Sequence, residues 1–289
     1  MTVTEFLVQQ RTIATNGIHL NVVQAGPEDG SPVILLHGFP EFWYGWRNQL
    51  PALAAHGLRL IVPDQRGYNL SDKPQGITSY RMDALVADVA GLIESLAGGR
   101  ACVVGHDWGA MVAWWVALRH PDMVEKLAIL NVPHPRIAMK TLRSDPQQMM
   151  RSLYAGFFQL PVLPETVIRL NDWKVGLQMM QKTARDGSFT EEDLEEYRKA
   201  WSQPGAMTAM LNWYRAYVQH PPAASHTWRV TVPTLMIWGE KDVALRATMA
   251  QPSIDLCDDG RLVMLKDATH WVQHDEADQV NQLLGDFLA

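Results

Sequence analysis

Four short stretches of the chain carry residues that can attack, hold an anion or move a proton. Gly105-His106-Asp107-Trp108-Gly109-Ala110 follows an apolar run at 101–104 and opens an apolar helical pattern. Two glycines around a central residue allow a sharp strand-to-helix turn, which lifts the central side chain above a sheet. That residue is Asp107, a carboxylate nucleophile, and the Trp108 N–H beside it can face an oxyanion. An Asp before a helix is also a common N-cap, but a cap needs neither glycine. His37-Gly38-Phe39-Pro40 follows the run 33–36. The Phe39 N–H is the expected second oxyanion donor, Pro40 fixes the turn, and His37 shapes the loop. Trp238-Gly239-Glu240-Lys241-Asp242 and Asp267-Ala268-Thr269-His270-Trp271 each follow a further apolar run. They supply an acid, Asp242, and a base, His270. The order nucleophile, acid, histidine makes a triad in which the acid fixes the imidazole tautomer.

The carboxylate decides the chemistry. It is ionised at neutral pH without a base and suits attack on saturated carbon, which leaves an alkyl ester. The histidine then activates water against that ester. His270 and His274 also form H-x-x-x-H, a zinc spacing, but Trp271 stands where a catalytic Glu belongs and no third ligand is apparent. No metal or cofactor is expected, and His274 is placed on the solvent face of the last helix.

These residues need a sheet to hold them. Non-alternating apolar runs at 33–36, 58–62, 101–104, 127–130, 235–238 and 262–265 suit strands buried on both faces. Between them, Met82, Leu85, Val86, Val89, Leu92, Ile93 and Leu96 repeat at helical spacing, and Gly98-Gly99 ends the pattern. Val280, Leu283, Leu284 and Phe287 do the same near the end. Asn16-Gly17 marks an N-terminal hairpin. The expected fold is α/β, a mostly parallel sheet with helices on both faces.

The alternation breaks at 132–228. Thr190 to Asp193 reads as a capping box, Pro204-Gly205 breaks a helix, and another is expected from about Ala206 to Gln219. This segment is read as a helical cap inserted into a core of 1–131 and 229–289. It holds seven of the 14 methionines, which suit ordinary packing or an apolar lid.

Composition narrows the setting. The 289 residues are 47% apolar and 19% charged, a globular balance. A net charge of −6 argues against a nucleic-acid or anionic-membrane partner. Two cysteines, Cys102 and Cys257, cannot make a disulfide framework. The start, MTVTEFLVQQ, has no signal-peptide pattern, and the longest apolar run, 110–118, is too short to span a bilayer. A cytoplasmic protein is expected.

Over nearly its whole length the chain resembles the epoxide hydrolases of the α/β-hydrolase fold. The likeness runs through His37-Gly38-Phe39-Pro40, Asp64-Gln65-Arg66-Gly67-Tyr68, Gly105-His106-Asp107-Trp108-Gly109, Asp242 and His270. It includes Leu153 to Pro161 and Leu211 to Arg215, which look like the family's two lid-tyrosine segments. The resemblance implies that Tyr154 and Tyr214 hydrogen-bond an epoxide oxygen, while Tyr44, Tyr197 and Tyr217 match neither segment. Asn69 stands where relatives often have Gly and tolerates the same backbone region. The implied activity is hydrolysis of an ether bond, epoxide and water giving a vicinal diol. Phe39, Pro40 and Trp108 line the pocket, and the partners are an apolar small-molecule epoxide and water. A homodimer is compatible with the sequence. A haloalkane dehalogenase would share Asp107, Trp108, Asp242 and His270. It would need a side-chain halide donor where Phe39 stands. A ligand-binding scaffold without activity would have lost a member of the triad.

Overall fold

The computed structural model describes residues 8–225 and 227–289. Residues 1–7, which belong to the stretch read as lacking a signal peptide, lie outside the described residues. Among the described residues one sheet holds β1 (Gln9–Thr15), β2 (Ile18–Ala25), β3 (Ser31–Leu36), β4 (Leu58–Pro63), β5 (Ala101–His106), β6 (Val124–Leu130), β7 (Thr234–Gly239) and β8 (Gly260–Leu265). Their order is β1-β2-β4-β3-β5-β6-β7-β8. β1 and β2 form the hairpin, with Thr15 opposite Ile18 across Asn16-Gly17, and β2 runs antiparallel to β4. Every other pairing is parallel.

Period-two alternation divides the strand residues between two apolar layers. Ile34, Leu36, Val103, Leu127 and Ile129 belong to one core cluster. Val33, Leu35, Val104, Ala128 and Leu130 belong to the other. Both faces are covered, which is why these strands read as continuous apolar runs. α1 (Leu50–Ala55), α2 (Met82–Ala97) and α3 (Trp108–Arg119) pack on the sheet. α2 ends at Gly98, whose φ of 66° gives a left-handed cap. From Val112 to Val116, α3 is completely buried. Each large side chain taken out of water there contributes roughly 1.5–3 kcal/mol.

Between β6 and β7 the ordered elements are helices: α4 (Pro135–Ser144), α5 (Pro146–Arg151), α6 (Leu153–Phe157), α7 (Leu163–Arg169), α8 (Lys174–Thr183), α9 (Glu191–Trp201) and α10 (Ala206–Gln219). α9 opens on a reciprocal capping box, Thr190 with Asp193. Side chains from α9 and α10 tie these helices to the core. The Trp201 indole N–H donates to Pro40 O at 2.6 Å, and that of Trp213 to Arg66 O at 3.0 Å. After the last strands come α11 (Ala250–Ile254), α12 (Val272–Asp275) and α13 (Ala277–Leu288). No helix among the described residues is long and apolar enough to cross a membrane.

Candidate active site

The loops that leave the C-terminal ends of β3, β5, β6, β7 and β8 converge. Ligand sites in open α/β sheets lie at such strand ends. Asp107 stands at the turn from β5 to α3 with φ 50° and ψ −125°. A non-glycine residue held there costs about 1–3 kcal/mol, paid by the surrounding structure. Packing dictates the two glycines beside it. A Cβ on Gly105 would meet Gly109 O at 2.5 Å, and one on Gly109 would meet Leu36 O at 2.1 Å.

Asp107 precedes a helix, but its carboxylate makes no capping bond. Instead Oδ1 accepts the Phe39 N–H at 2.6 Å, and Oδ2 lies 3.3 Å from His270 Nε2. The opposite ring nitrogen, His270 Nδ1, is 2.8 Å from Asp242 Oδ2. Asp242 is 3% exposed, yet its oxygens are satisfied. Oδ1 accepts the N–H groups of Ala244 and Leu245 at 2.7 and 2.8 Å, and Oδ2 accepts the Asn131 amide at 2.8 Å. The structure therefore brings Asp107, Asp242 and His270 into one line, with the Phe39 N–H on the Asp107 carboxylate.

An imidazole between two carboxylates changes all three charges. Burial disfavours the His270 cation, but the charges and hydrogen bonds of Asp242 and Asp107 outweigh it and hold its pKa well above the ordinary value. Burial likewise pushes the Asp107 carboxyl up, and the hydrogen bond and charge of His270 bring it below the usual carboxylate range. The pairing thus favours the charged forms of both His270 and Asp107.

Tyr154 on α6 and Tyr214 on α10 face each other, their rings 6.0 Å apart. Phe158 packs against both, at 5.6 and 5.0 Å, and Tyr214 meets Trp108 edge-on at 5.0 Å. Arg215 holds the two segments together through Phe158 O at 3.0 Å and Leu160 O at 2.8 Å. Desolvation pushes both phenols above their ordinary pKa, helped by the charge of Asp107. Tyr154 keeps 37% of its surface exposed against 7% for Tyr214, so solvent screens its shift more strongly. Both phenols stay protonated across the neutral range.

Asp107, Tyr154 and Tyr214 line two cavities. The larger, about 300 Å³, is walled by Phe39, Pro40, Phe158, Ile168, Met179, Met180, Trp201 and Trp271, and also touches His270 and Arg151. The smaller, about 120 Å³, is walled by Trp108, Met111, Val132, Pro133, Ala138 and Leu245. Phe39 and Pro40 thus border the first and Trp108 the second. The Phe39–Pro40 peptide is cis.

Two neighbours, Asn131 and Glu41, were missed in the sequence. Asn131, with φ 58°, donates to Asp242 and Thr269 O and accepts the Gly239 N–H. One short amide thus fixes the acid, its loop and the histidine loop. A polar residue at the end of a buried strand was the available clue. His106 Nε2 lies 2.8 Å from His270 O. Behind it Glu41, 1% exposed, accepts from Tyr197 of α9 at 2.6 Å and from Gln273 at 3.0 Å, and pairs with His274 at 2.8 Å. His274 is therefore not on a solvent face. It is 7% exposed in α12, a separate turn ahead of the last helix, because the buried Glu41 carboxylate needs a partner. His37 is buried and fixes the loop, its Nε2 accepting the Gln65 N–H at 3.0 Å. Tyr44 and Tyr197 bond to Asp193 and Glu41, away from Asp107.

Comparison with known proteins places the chain. The alpha/beta hydrolase fold family matches residues 31–277. The AB hydrolase superfamily protein YfhM of Bacillus subtilis is 46% identical over 97% of this chain and 98% of its own. Epoxide hydrolase 4 of Mus musculus is 40% identical over 96% of this chain and 78% of its own. Among solved structures, an epoxide hydrolase of Bacillus megaterium in complex with an inhibitor superposes with a TM-score of 0.88. It is 29% identical, over 96% of this chain and 99% of that one.

Proposed function

The chain belongs to the epoxide hydrolases of the alpha/beta hydrolase fold, and from that premise we propose that it converts epoxides to vicinal diols through an ester on Asp107. One observation carries the reading. An ionised carboxylate and two protonated phenols line the same apolar cavity. The carboxylate meets carbon and the phenols meet oxygen.

In the first step an Asp107 oxygen attacks one oxirane carbon, and the ring C–O bond breaks. The alkoxide that develops takes a proton from Tyr154 or Tyr214. Alkylation removes the charge of Asp107, so His270 loses one of the two carboxylates that keep it protonated. Its pKa falls, its proton passes to the phenolate just formed, and it becomes a base when a base is needed. His270, oriented by Asp242, then takes a proton from water, and the hydroxide attacks the ester carbonyl. The Phe39 and Trp108 N–H groups hold the oxyanion. The diol leaves with the oxygen that Asp107 contributed, taking a proton from His270. The re-formed carboxylic acid returns a proton to His270, which restores the imidazolium and the Asp107 carboxylate.

Residues 132–228 act as the cap that carries the tyrosines, over a core of 1–131 and 229–289. The two cavities give room to substituents on both oxirane carbons, and their apolar walls favour hydrocarbon. Substrate and water are the only partners the chemistry needs. One chain holds every site residue, so a homodimer would leave the site intact. Cys102 and Cys257 are buried and unpaired, which suits the reducing cytoplasm. A dehalogenase is disfavoured because Phe39 offers no side-chain donor to a halide, while a halide has no use for two phenols. A scaffold without activity is disfavoured because nothing in the triad is missing.

Single turnover in ¹⁸O-labelled water tests the mechanism. The first-turnover diol should carry its new oxygen from Asp107, unlabelled. A labelled diol in that turnover would mean direct attack by water and would sink the covalent route.

A further inference from the structure

Met179 and Val243 border the larger cavity and are each 52% exposed, so this is its mouth. Arg151, at the end of α5, lines the same cavity and is exposed, its Nη1 donating to the backbone O of Asp242 at 2.8 Å. Apolar exposure is concentrated in the helices that build this opening. Among the described residues thirteen large hydrophobic side chains are exposed, and ten of them fall between Leu142 and Met179. Met150, Leu153 and Val162 leave 68, 61 and 71% of their surface in water. Single apolar residues are normal on a protein surface, but a concentration of them in one segment marks a face for binding.

The same segment is positive. From 135 to 183 the chain has seven Lys and Arg against three Asp and Glu, in a protein whose net charge is −6. All seven cations are exposed. Asp145, Glu165 and Asp172 are each paired with an arginine from outside the segment, and none of the seven cations is paired with a carboxylate among the described residues. Arg136, Lys140 and Arg143 recur at four and three residues, so α4 turns them to one side. The acidic excess that argues against an anionic surface therefore belongs to the rest of the molecule.

We infer that this face of the cap is an interaction surface for an anionic lipid bilayer, which it meets with the cavity mouth towards the membrane. Apolar side chains interspersed with Lys and Arg suit a headgroup layer, where the cations meet lipid anions and the apolar groups sink below them. No helix among the described residues is long and apolar enough to cross, so the contact is with the surface. A second copy of the chain fits this face worse. A two-fold contact sets a patch against itself, and here it would press unpaired cations on their like. Docking itself needs no catalysis. Its use rests on the epoxide reading, since apolar epoxides dissolve in the bilayer and the mouth takes them from there.

The test sediments the protein, without any epoxide, on vesicles of phosphatidylcholine made with and without phosphatidylserine. Binding should be about tenfold or more stronger with phosphatidylserine, and raising the salt should narrow that gap. Lys140→Glu with Arg143→Glu should weaken binding to the phosphatidylserine vesicles about tenfold or more. Arg100→Glu with Arg261→Glu makes the same change in net charge beside the N-terminal ends of β5 and β8, opposite the mouth, and should weaken it less than about twofold. Met150→Ser with Leu163→Ser should weaken binding about three- to tenfold. Circular dichroism checks that each variant folds, and the wild-type comparison decides the matter without them. Equal binding to both kinds of vesicle, or binding to neither, overturns the inference, as does an equal loss in the Arg100 and Arg261 variant. A dimer that ignores vesicles and is broken by Met150→Ser with Leu163→Ser shows that a second copy covers the face instead. Diol formed in solution without vesicle binding keeps the epoxide reading and removes this one, and vesicle binding without diol does the reverse.

Discussion

The Asn131 amide donates to Asp242 Oδ2 at 2.8 Å, the same oxygen that stands 2.8 Å from His270. The proposed catalytic acid is thus held from behind by a neutral group that leaves its charge in place. Asn131→Ala removes one of the two bonds to a buried carboxylate oxygen and loosens both loops around it. The expected loss is about 10- to 100-fold in kcat, by analogy with other groups that orient a catalytic ligand. KM should move less. A variant with wild-type kcat would show that Asp242 needs no such support.

The two phenols should share the work of ring opening. Tyr154→Phe or Tyr214→Phe removes one preorganised donor, a loss of about 100- to 1000-fold in the rate of alkylation. The double variant should be worse than either. Tyr214 is the more buried and sits against Trp108. Its loss is therefore expected to cost the more. Diol production near the wild-type rate by the double variant rules out the role.

His270→Gln separates the two steps. Asp107 keeps a charge to attack with, but nothing takes a proton from water. Intact-protein mass spectrometry should show a gain of one substrate mass, mapped by peptide analysis to Asp107. Asp107→Asn should take up no substrate before slow deamidation restores the acid. An adduct on any other residue refutes Asp107 as nucleophile.

Stability should fall in mild acid for a reason outside the triad. Burial holds His37 and His134 neutral and lowers each pKa from 6.5 to about 4. A group whose folded pKa is depressed stabilises the fold above its unfolded pKa, and that contribution is lost as pH drops towards the folded value. Between pH 6.5 and 4 each histidine costs on the order of 3 kcal/mol. His134 Nδ1 accepts the Arg136 N–H at 3.2 Å, a contact that an Asn side chain can replace. In urea titrations across this window, His134→Asn should flatten the slope. An unchanged slope means that His134 does not titrate there.

The sheet was legible because strands covered on both faces must be apolar throughout. The turn at Asp107 was legible because only glycine fits at 105 and 109, so the backbone's needs are written in the sequence. The tyrosines came from resemblance alone. Nothing local separates Tyr154 and Tyr214 from Tyr217, which is also on α10 and has no partner for its hydroxyl among the described residues. The misplaced residue, His274, owes its burial to Glu41, 233 positions away. Asn131 and Arg151 escaped for the same reason. Their partners are set by how strand ends and helices meet in space, which a reading along one chain does not reach.

The buried anion at Glu41 also bears on traffic. It bonds Tyr197 on the cap and Gln273 and His274 on the core, while Arg47 reaches Asp193 on α9 at 2.7 Å. Lifting α9 would strand charges in the interior, at a cost of about 3–5 kcal/mol for a broken buried pair. Parting cap from core is therefore the expensive route, and the gap beside Met179 and Val243 is the cheap one. Cross-linking α9 to the core should leave turnover intact, and a slower enzyme would show that the cap opens there. If the gap carries both directions of traffic, a diol must clear it before the next epoxide enters.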